Sequence, residues 1–144
     1  MAVRYYTLVM GVLFIMAGIG GFLFPITQPL PTNAPPLTLD ASYGLLLGLF
    51  PINLVHNLVH LSFGIWGVWA WQTYDHSRAY CRAMAVILIV FALMGLLPVT
   101  QLTFGLMPLF GHDIWLHALE AIVAAYLGYW YRPDSTPSLI QAQP

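Results

Sequence analysis

The chain is short, apolar and almost uncharged: of its 144 residues, 60% are hydrophobic and 6% are charged, and the mean hydropathy is +0.79. A soluble domain carries about a quarter charged residues. The formal net charge of −1 excludes the basic face that nucleic-acid binding requires. The single cysteine, Cys81, excludes an intrachain disulfide and a multi-cysteine metal site. This composition is typical of an integral membrane protein.

Four apolar runs are long enough to cross a bilayer, which takes about 20 residues of helix. They are Tyr5–Phe24, Asn53–Trp71, Ala83–Val99 and Ile114–Tyr131. Backbone polar groups in lipid must be satisfied within the segment, so each run is predicted to be helical. The predicted fold is all-α, a four-helix membrane bundle in one domain, residues 1–132. The polar, proline-rich tail, residues 133–144, is predicted to be disordered.

The basic residues indicate the orientation. All four are arginines: Arg4, Arg78, Arg82 and Arg132. Arg4 precedes the first run, Arg78 and Arg82 lie between the second and third runs, and Arg132 follows the fourth. The other two connections contain no Lys or Arg. Because loops rich in Lys and Arg stay in the cytoplasm, both termini are predicted to be cytoplasmic.

The two halves of the chain resemble one another. The segment Gly48-Leu-Phe-Pro51 recurs 57 residues later as Gly105-Leu-Met-Pro108, and the same offset aligns His56 with Asp113 and His60 with His117. The preceding helices align at an offset of 74, because the first connection is longer. We therefore predict a tandem repeat of two-helix hairpins, about residues 5–72 and 83–131, related by a pseudo-two-fold axis along the membrane normal.

A short apolar stretch precedes the proline in each half, at Tyr43–Phe50 and at Leu102–Met107. Neither stretch is long enough to span a bilayer. Each is predicted to form a brief interfacial or re-entrant helix, with a simple loop as the alternative.

Polar side chains inside the second and fourth runs are the candidate functional residues. At 100° per residue, one set shares a face of the second helix and another shares a face of the fourth. The first set is Asn53, His56, Asn57 and His60, and the second is Asp113, His117 and Glu120. Both sets begin at the non-cytoplasmic end and reach roughly 10 Å into the helix. Ionisable residues at membrane depth mark functional sites, so the two faces are expected to meet inside the bundle.

Four interpretations of this cluster stay open. It is a hydrogen-bonded network that joins the two halves, or a proton or ion relay. Alternatively, His56, His60, Asp113 and His117 bind zinc or another divalent metal, with Asn57 or Glu120 supporting them. In the fourth interpretation, His60 and His117 are axial ligands of haem, or one of them binds chlorophyll.

The run Gly48-Leu-Phe-Pro-Ile-Asn53-Leu-Val-His56-Asn57-Leu-Val-His60, with the later Asp113-Ile-Trp-Leu-His117, resembles the bacterial four-span family known as domain of unknown function 4383. The resemblance implies a bacterial inner membrane or a thylakoid. It covers nearly the whole chain and implies no activity. Its motif contains the cluster residues except Glu120.

The predicted role is structural or accessory and non-enzymatic. The expected surroundings are the lipid bilayer and either a larger membrane complex or a homo-oligomer. The alternatives from other classes are a redox or pigment protein that binds haem, chlorophyll or a divalent metal, and a small proton or ion transporter.

Overall fold

The computed structural model describes residues 1–132, so the predicted disordered tail lies outside the described residues. Four α-helices dominate this part of the chain, as predicted: α1 (Ala2–Gly20), α2 (Leu54–Ala70), α3 (Tyr74–Leu96) and α4 (His112–Ala125). A π-helical segment, Tyr126–Trp130, continues α4. By length and composition, α1 and α3 are each able to cross a membrane, with mean hydropathies of 1.7 and 2.2.

The helices pack chiefly as two pairs, α1 with α2 and α3 with α4. Small residues allow the close approach of α1 and α2. A Cβ atom added at Gly64 would lie 2.7 Å from the backbone nitrogen of Ile15 and 2.8 Å from the carbonyl oxygen of Gly11. Glycine is therefore required where the two backbones meet. Phe14, Tyr80 and Met84 belong to the buried apolar core that the four helices enclose.

The prediction that the third helix begins at Ala83 was wrong, because α3 begins at Tyr74. Thr73 caps this helix by accepting a hydrogen bond from the backbone N–H of His76 at 3.2 Å. Arg78 and Arg82 thus lie on α3 and not in a connection, and their Nε atoms donate to the carbonyl of Gly128 at 2.9 and 2.8 Å. Hydropathy alone missed these turns because it counts the arginines against a span.

The starts of α1 and α3 and the ends of α2 and α4 lie at the same end of the bundle. Arg4 at the start of α1 donates from Nε to the carbonyl of Trp71, just after α2, at 2.8 Å. The hydroxyl of Thr7 lies 3.4 Å from the carbonyl of Ser77 on α3. Together with the Arg82–Gly128 contact, these bonds place Arg4, Arg78 and Arg82 at one end.

The predicted short helix over Tyr43–Phe50 was wrong, because this stretch is a β-hairpin. The strands β1 (Thr27–Gln28), β2 (Gly44–Leu46) and β3 (Phe50–Ile52) form a small antiparallel sheet in that order. Leu47 and Gly48 reverse the chain with φ angles of 54° and 72°, and the second of these suits glycine. Pro51 lies on the edge strand, where a missing N–H is tolerated.

The second short stretch, Leu102–Met107, contains one 3-10 turn at Thr103–Gly105. It contacts the proline-rich first connection, since the carbonyl of Gly105 accepts hydrogen bonds from the backbone N–H groups of Thr38 and Leu39, both at 3.1 Å. The two long connections therefore meet over the end of the bundle opposite the arginines.

Candidate metal centre

Asn53 fixes the start of α2 and therefore the position of the histidines that follow it. Its Oδ1 atom accepts a hydrogen bond from the backbone N–H of His56 at 3.0 Å, the usual N-cap contact. Its Nδ2 atom donates to the carbonyls of Leu39 at 2.8 Å and Leu106 at 2.7 Å. Among residues 1–132, the fully buried Asn53 side chain thus bonds only to backbone atoms, and it joins both long connections to α2.

Three imidazoles converge inside the bundle. His56 and His60 extend from α2 and His117 from α4, and each offers one ligand atom within 4.8 Å of the other two. The ring centroid of His56 lies 4.4 Å from that of His60 and 6.1 Å from that of His117. The structure therefore brings together the three histidines that the helical periodicity placed on facing stripes.

The protonation of the His56 ring follows from its surroundings. Its Nδ1 atom lies 3.1 Å from the carbonyl oxygen of Pro51. Because a carbonyl oxygen only accepts, Nδ1 carries the proton, and the lone pair is on Nε2. Oδ2 of Asp113 lies 3.9 Å from the same Nδ1 atom. Proteins usually orient a metal-binding histidine by placing a carbonyl or carboxylate beside the ring nitrogen that does not bind the metal.

Several buried polar atoms of this cluster have no hydrogen-bond partner among residues 1–132. They are Nδ1 of His60, Nδ1 of His117, Oδ2 of Asp113 and Oε2 of Glu120. Such atoms are costly to bury, and native proteins satisfy almost all of them. Imidazole nitrogens and carboxylate oxygens are also the usual ligands of divalent transition metals.

Asn57 is fully buried between α1 and α2. Its amide packs against Gly21, where any added Cβ would collide with it, and its Oδ1 and Nδ2 atoms find no partner within the described residues. Asn57 therefore contacts the end of α1, although the sequence placed it on the same stripe as His56 and His60.

A cavity of about 510 Å³ lies between α1 and α4, beside the imidazoles. His60, His117, Asp113 and Glu120 line it from α2 and α4. The remaining lining residues are apolar or glycine. They come from α1 (Met10, Leu13, Phe14, Met16, Ala17 and Gly20), from the residue before β1 (Ile26), from the β-hairpin (Leu46, Leu47 and Phe50) and from α4 (Leu116). Sequence reasoning missed this cavity, because the contribution of α1 contains no polar side chain to signal it.

The other two histidines lie outside the cluster. The exposed His76, on the first turn of α3, stacks on Trp69 with ring centroids 4.6 Å apart. His112, also exposed, accepts a hydrogen bond from Trp115 Nε1 at 2.9 Å. They provide matched controls for the three clustered histidines.

The fold and the site define a class of protein: a small four-helix bundle with a buried imidazole cluster beside an apolar cavity. The profile of the family described as Domain of unknown function (DUF4383) matches residues 4–130, and the chain therefore belongs to this family. This match confirms the resemblance seen in the histidine motif. Neither the curated proteins nor the solved structures provide a match to the chain.

Proposed function

We propose that this protein is an integral membrane protein that binds one divalent transition metal ion, zinc or a metal of similar ligand preference, through His56, His60 and His117. The observation that carries the proposal is the convergence of three ligand atoms within 4.8 Å. A tetrahedral zinc ion holds two nitrogen ligands about 3.4 Å apart, so side-chain movements of about 1 Å complete the site.

The proposal explains the unpartnered atoms better than a purely structural network does. A stabilising network requires that its members bond to each other, because a half-satisfied buried network costs more than an apolar core. Within residues 1–132, Nδ1 of His60 and Nδ1 of His117 bond to nothing. We propose that these nitrogens are the ligand atoms of His60 and His117, so that an ion between the imidazoles is the partner that they lack.

Asp113 is proposed to orient His56 and not to coordinate the ion. The sequence-based hypothesis included Asp113 among the ligands. Its Oδ2 atom, however, lies next to the protonated Nδ1 of His56, on the ring edge that does not carry the lone pair. This arrangement leaves three protein ligands and one open coordination position, which is typical of zinc sites that bind an external molecule.

Exposed apolar side chains support a membrane location for all four helices. On α3, Val86, Val90 and Leu93 are 54%, 44% and 55% exposed. Comparable residues are exposed on the other helices, and soluble monomers rarely present such continuous apolar surfaces. The arginines collected at one end then make that end, with both termini, cytoplasmic. The resemblance suggests a bacterial inner membrane or a thylakoid.

Equivalent contacts in the two halves support the tandem repeat. Gly21 packs on Asn57, and Gly95 packs on Ile114. The offset of 74 aligns Gly21 with Gly95, and the offset of 57 aligns Asn57 with Ile114. The aligned residues of the site also meet one another. His56 approaches Asp113, and His60 approaches His117, as expected for residues close to a pseudo-two-fold axis.

Haem ligation by His60 and His117 fits the cluster less well, because the His56 ring lies 4.4 Å from that of His60, within the space that a porphyrin between the two ligands would fill. A visible spectrum with a Soret band would favour the haem proposal.

The proposed partners, a larger membrane complex or a second copy, are compatible with a metal site, since one chain supplies all three ligands.

Metal analysis tests the proposal. The protein, purified in lipid nanodiscs with an affinity tag that contains no histidine, is incubated with Zn²⁺, dialysed, and analysed by mass spectrometry for metal content. We expect one tightly held ion per chain. His60→Gln and His117→Gln are expected to lose it, because each removes one of three ligands while keeping a polar side chain of similar size.

His76→Gln and His112→Gln are the matched controls, since both residues are exposed and lie outside the cluster. They are expected to keep one ion per chain. Retention of zinc by His60→Gln and His117→Gln, or failure of the wild-type protein to hold any, would exclude the proposed site.

A further inference from the structure

The cavity beside the imidazoles has a polar wall on one side and apolar walls on the others. Its volume, about 510 Å³, lies within the range of small-molecule sites in proteins, which is roughly 300–1,000 Å³. The polar side chains are His60 on α2 and Asp113, His117 and Glu120 along two turns of α4, while α1 supplies only apolar side chains and a glycine. Such a shape fits a molecule with one oxygen-bearing head and one hydrocarbon tail.

The cavity opens toward the outer apolar surface of the bundle. Leu13, Met16 and Leu47 line it, and they are 50%, 63% and 63% exposed. They therefore form its mouth. Exposed apolar residues surround this mouth on α1, including Val9 and Val12. In a membrane these side chains contact lipid tails, so a ligand reaches the cavity from the lipid phase and not from water.

The composition of the polar wall favours an uncharged head. Its two carboxyl side chains are Asp113 and Glu120, and no Lys or Arg of residues 1–132 lines the cavity. An anionic head would be buried beside two acidic side chains with no basic side chain to pair with it, which is costly.

We infer that this cavity binds an uncharged membrane lipid with an oxygen-bearing head, a long-chain alcohol or an isoprenoid quinone, whose oxygen takes the open coordination position of the metal. The inference rests on the proposed function, since the metal supplies that position. Oxygen ligands are accepted by zinc and by cobalt. The tail lies along α1, between Leu13 and Leu116, which line the cavity from α1 and from α4.

Cobalt spectroscopy tests this inference. The protein in nanodiscs is loaded with Co²⁺, whose visible d–d bands report the number and kind of its ligands. Oleyl alcohol, decylubiquinone and oleate are titrated separately, so that the alcohol, the quinone and an anion of similar chain length are compared. We expect oleyl alcohol or decylubiquinone to shift the bands with saturation, and oleate to shift them far more weakly.

A matched pair of variants locates the binding. Leu13→Trp fills the cavity, whereas Val12→Trp adds the same ring to the neighbouring exposed position, which does not line it. We expect Leu13→Trp to raise the half-saturating lipid concentration by about tenfold or more, the effect of overpacking a filled site. Val12→Trp is expected to behave as the wild-type protein does. Both variants are expected to bind Co²⁺ normally.

The outcomes separate the two proposals. If Co²⁺ binds but none of the three lipids shifts its bands, the inference is overturned and the metal site stands. A stronger shift with oleate than with the neutral lipids, or equal titrations of Leu13→Trp and Val12→Trp, also overturns it. If Co²⁺ does not bind at all, the proposed function fails and the inference fails with it.

Discussion

Oδ2 of Asp113 lies 3.9 Å from Nδ1 of His56, next to the hydrogen bond that this nitrogen donates to the carbonyl of Pro51. The two residues are separated by 57 positions in the chain and belong to different helices, α2 and α4. Their approach joins the two halves of the molecule at the point where the imidazoles converge.

This contact predicts the behaviour of Asp113→Asn. If the carboxylate orients His56 and does not coordinate the ion, the variant keeps one metal ion per chain but binds it roughly 10–100-fold more weakly. Competition with a chelator of known affinity measures the change. Asp75→Asn, at an exposed residue in the first turn of α3, is the control and should bind as the wild type does. Complete loss of the ion in Asp113→Asn would instead show that Asp113 is a ligand.

Metal binding predicts a stability change. An ion that binds only the folded state stabilises it by about 4 kcal/mol when its free concentration is 1,000 times its dissociation constant. Addition of Zn²⁺ is therefore expected to raise the thermal unfolding midpoint of the protein in nanodiscs, and a chelator is expected to reverse the rise. His117→Gln should show no response to either, whereas His112→Gln should respond fully. Equal responses of the two variants would contradict a site at His117.

Asn53→Ala is predicted to destabilise the fold strongly. The substitution removes an N-cap, worth about 1 kcal/mol, and two hydrogen bonds to the carbonyls of Leu39 and Leu106, at about 1 kcal/mol each. The loss is measured as the free energy of unfolding in mixed detergent micelles. Asn33→Ala, at an exposed residue of the first connection, should change it little. A small loss in Asn53→Ala would show that the two connections are held by other contacts.

Two glycines on helices are predicted to differ in their tolerance of alanine. In Gly64→Ala the new Cβ would lie 2.7 Å from the backbone nitrogen of Ile15, so the helices must separate, at a cost of about 1–3 kcal/mol. In Gly20→Ala the nearest atom is the flexible Cδ1 of Leu46 at 3.3 Å. There, the better helix propensity of alanine offsets the contact. Thermal unfolding midpoints should therefore fall for Gly64→Ala and stay nearly constant for Gly20→Ala.

The proposed orientation predicts a labelling pattern in intact bacterial cells. The natural Cys81 is buried and is replaced by alanine, and one cysteine is then added in an exposed connection. Thr32→Cys, opposite the arginines, is expected to react with a membrane-impermeant maleimide. Gln72→Cys, between α2 and α3, should react only after the cells are lysed. Labelling of Gln72→Cys alone in intact cells would show that the orientation is the reverse of the proposed one.

The four helices and the faces that carry the histidines could be predicted from the sequence. Apolar runs and the helical period are local properties, so they place His56 and His60 on one face of α2 wherever that helix packs. The aligned motif extended the same argument to His117. Helix boundaries were less accurate, since Arg78 and Arg82 look unfavourable in a span until their bonds to Gly128 are known.

The sequence by itself determined which helices form and which side chains share a face, because these depend on neighbours within a few residues. Only the tertiary structure decided that Asn53 bonds to two distant carbonyls, that Nδ1 of His56 is protonated, and that α1 encloses a cavity with α4. Each of these depends on atoms brought together from segments far apart in the chain. Their separation and direction are set by packing, which no local pattern of residues specifies.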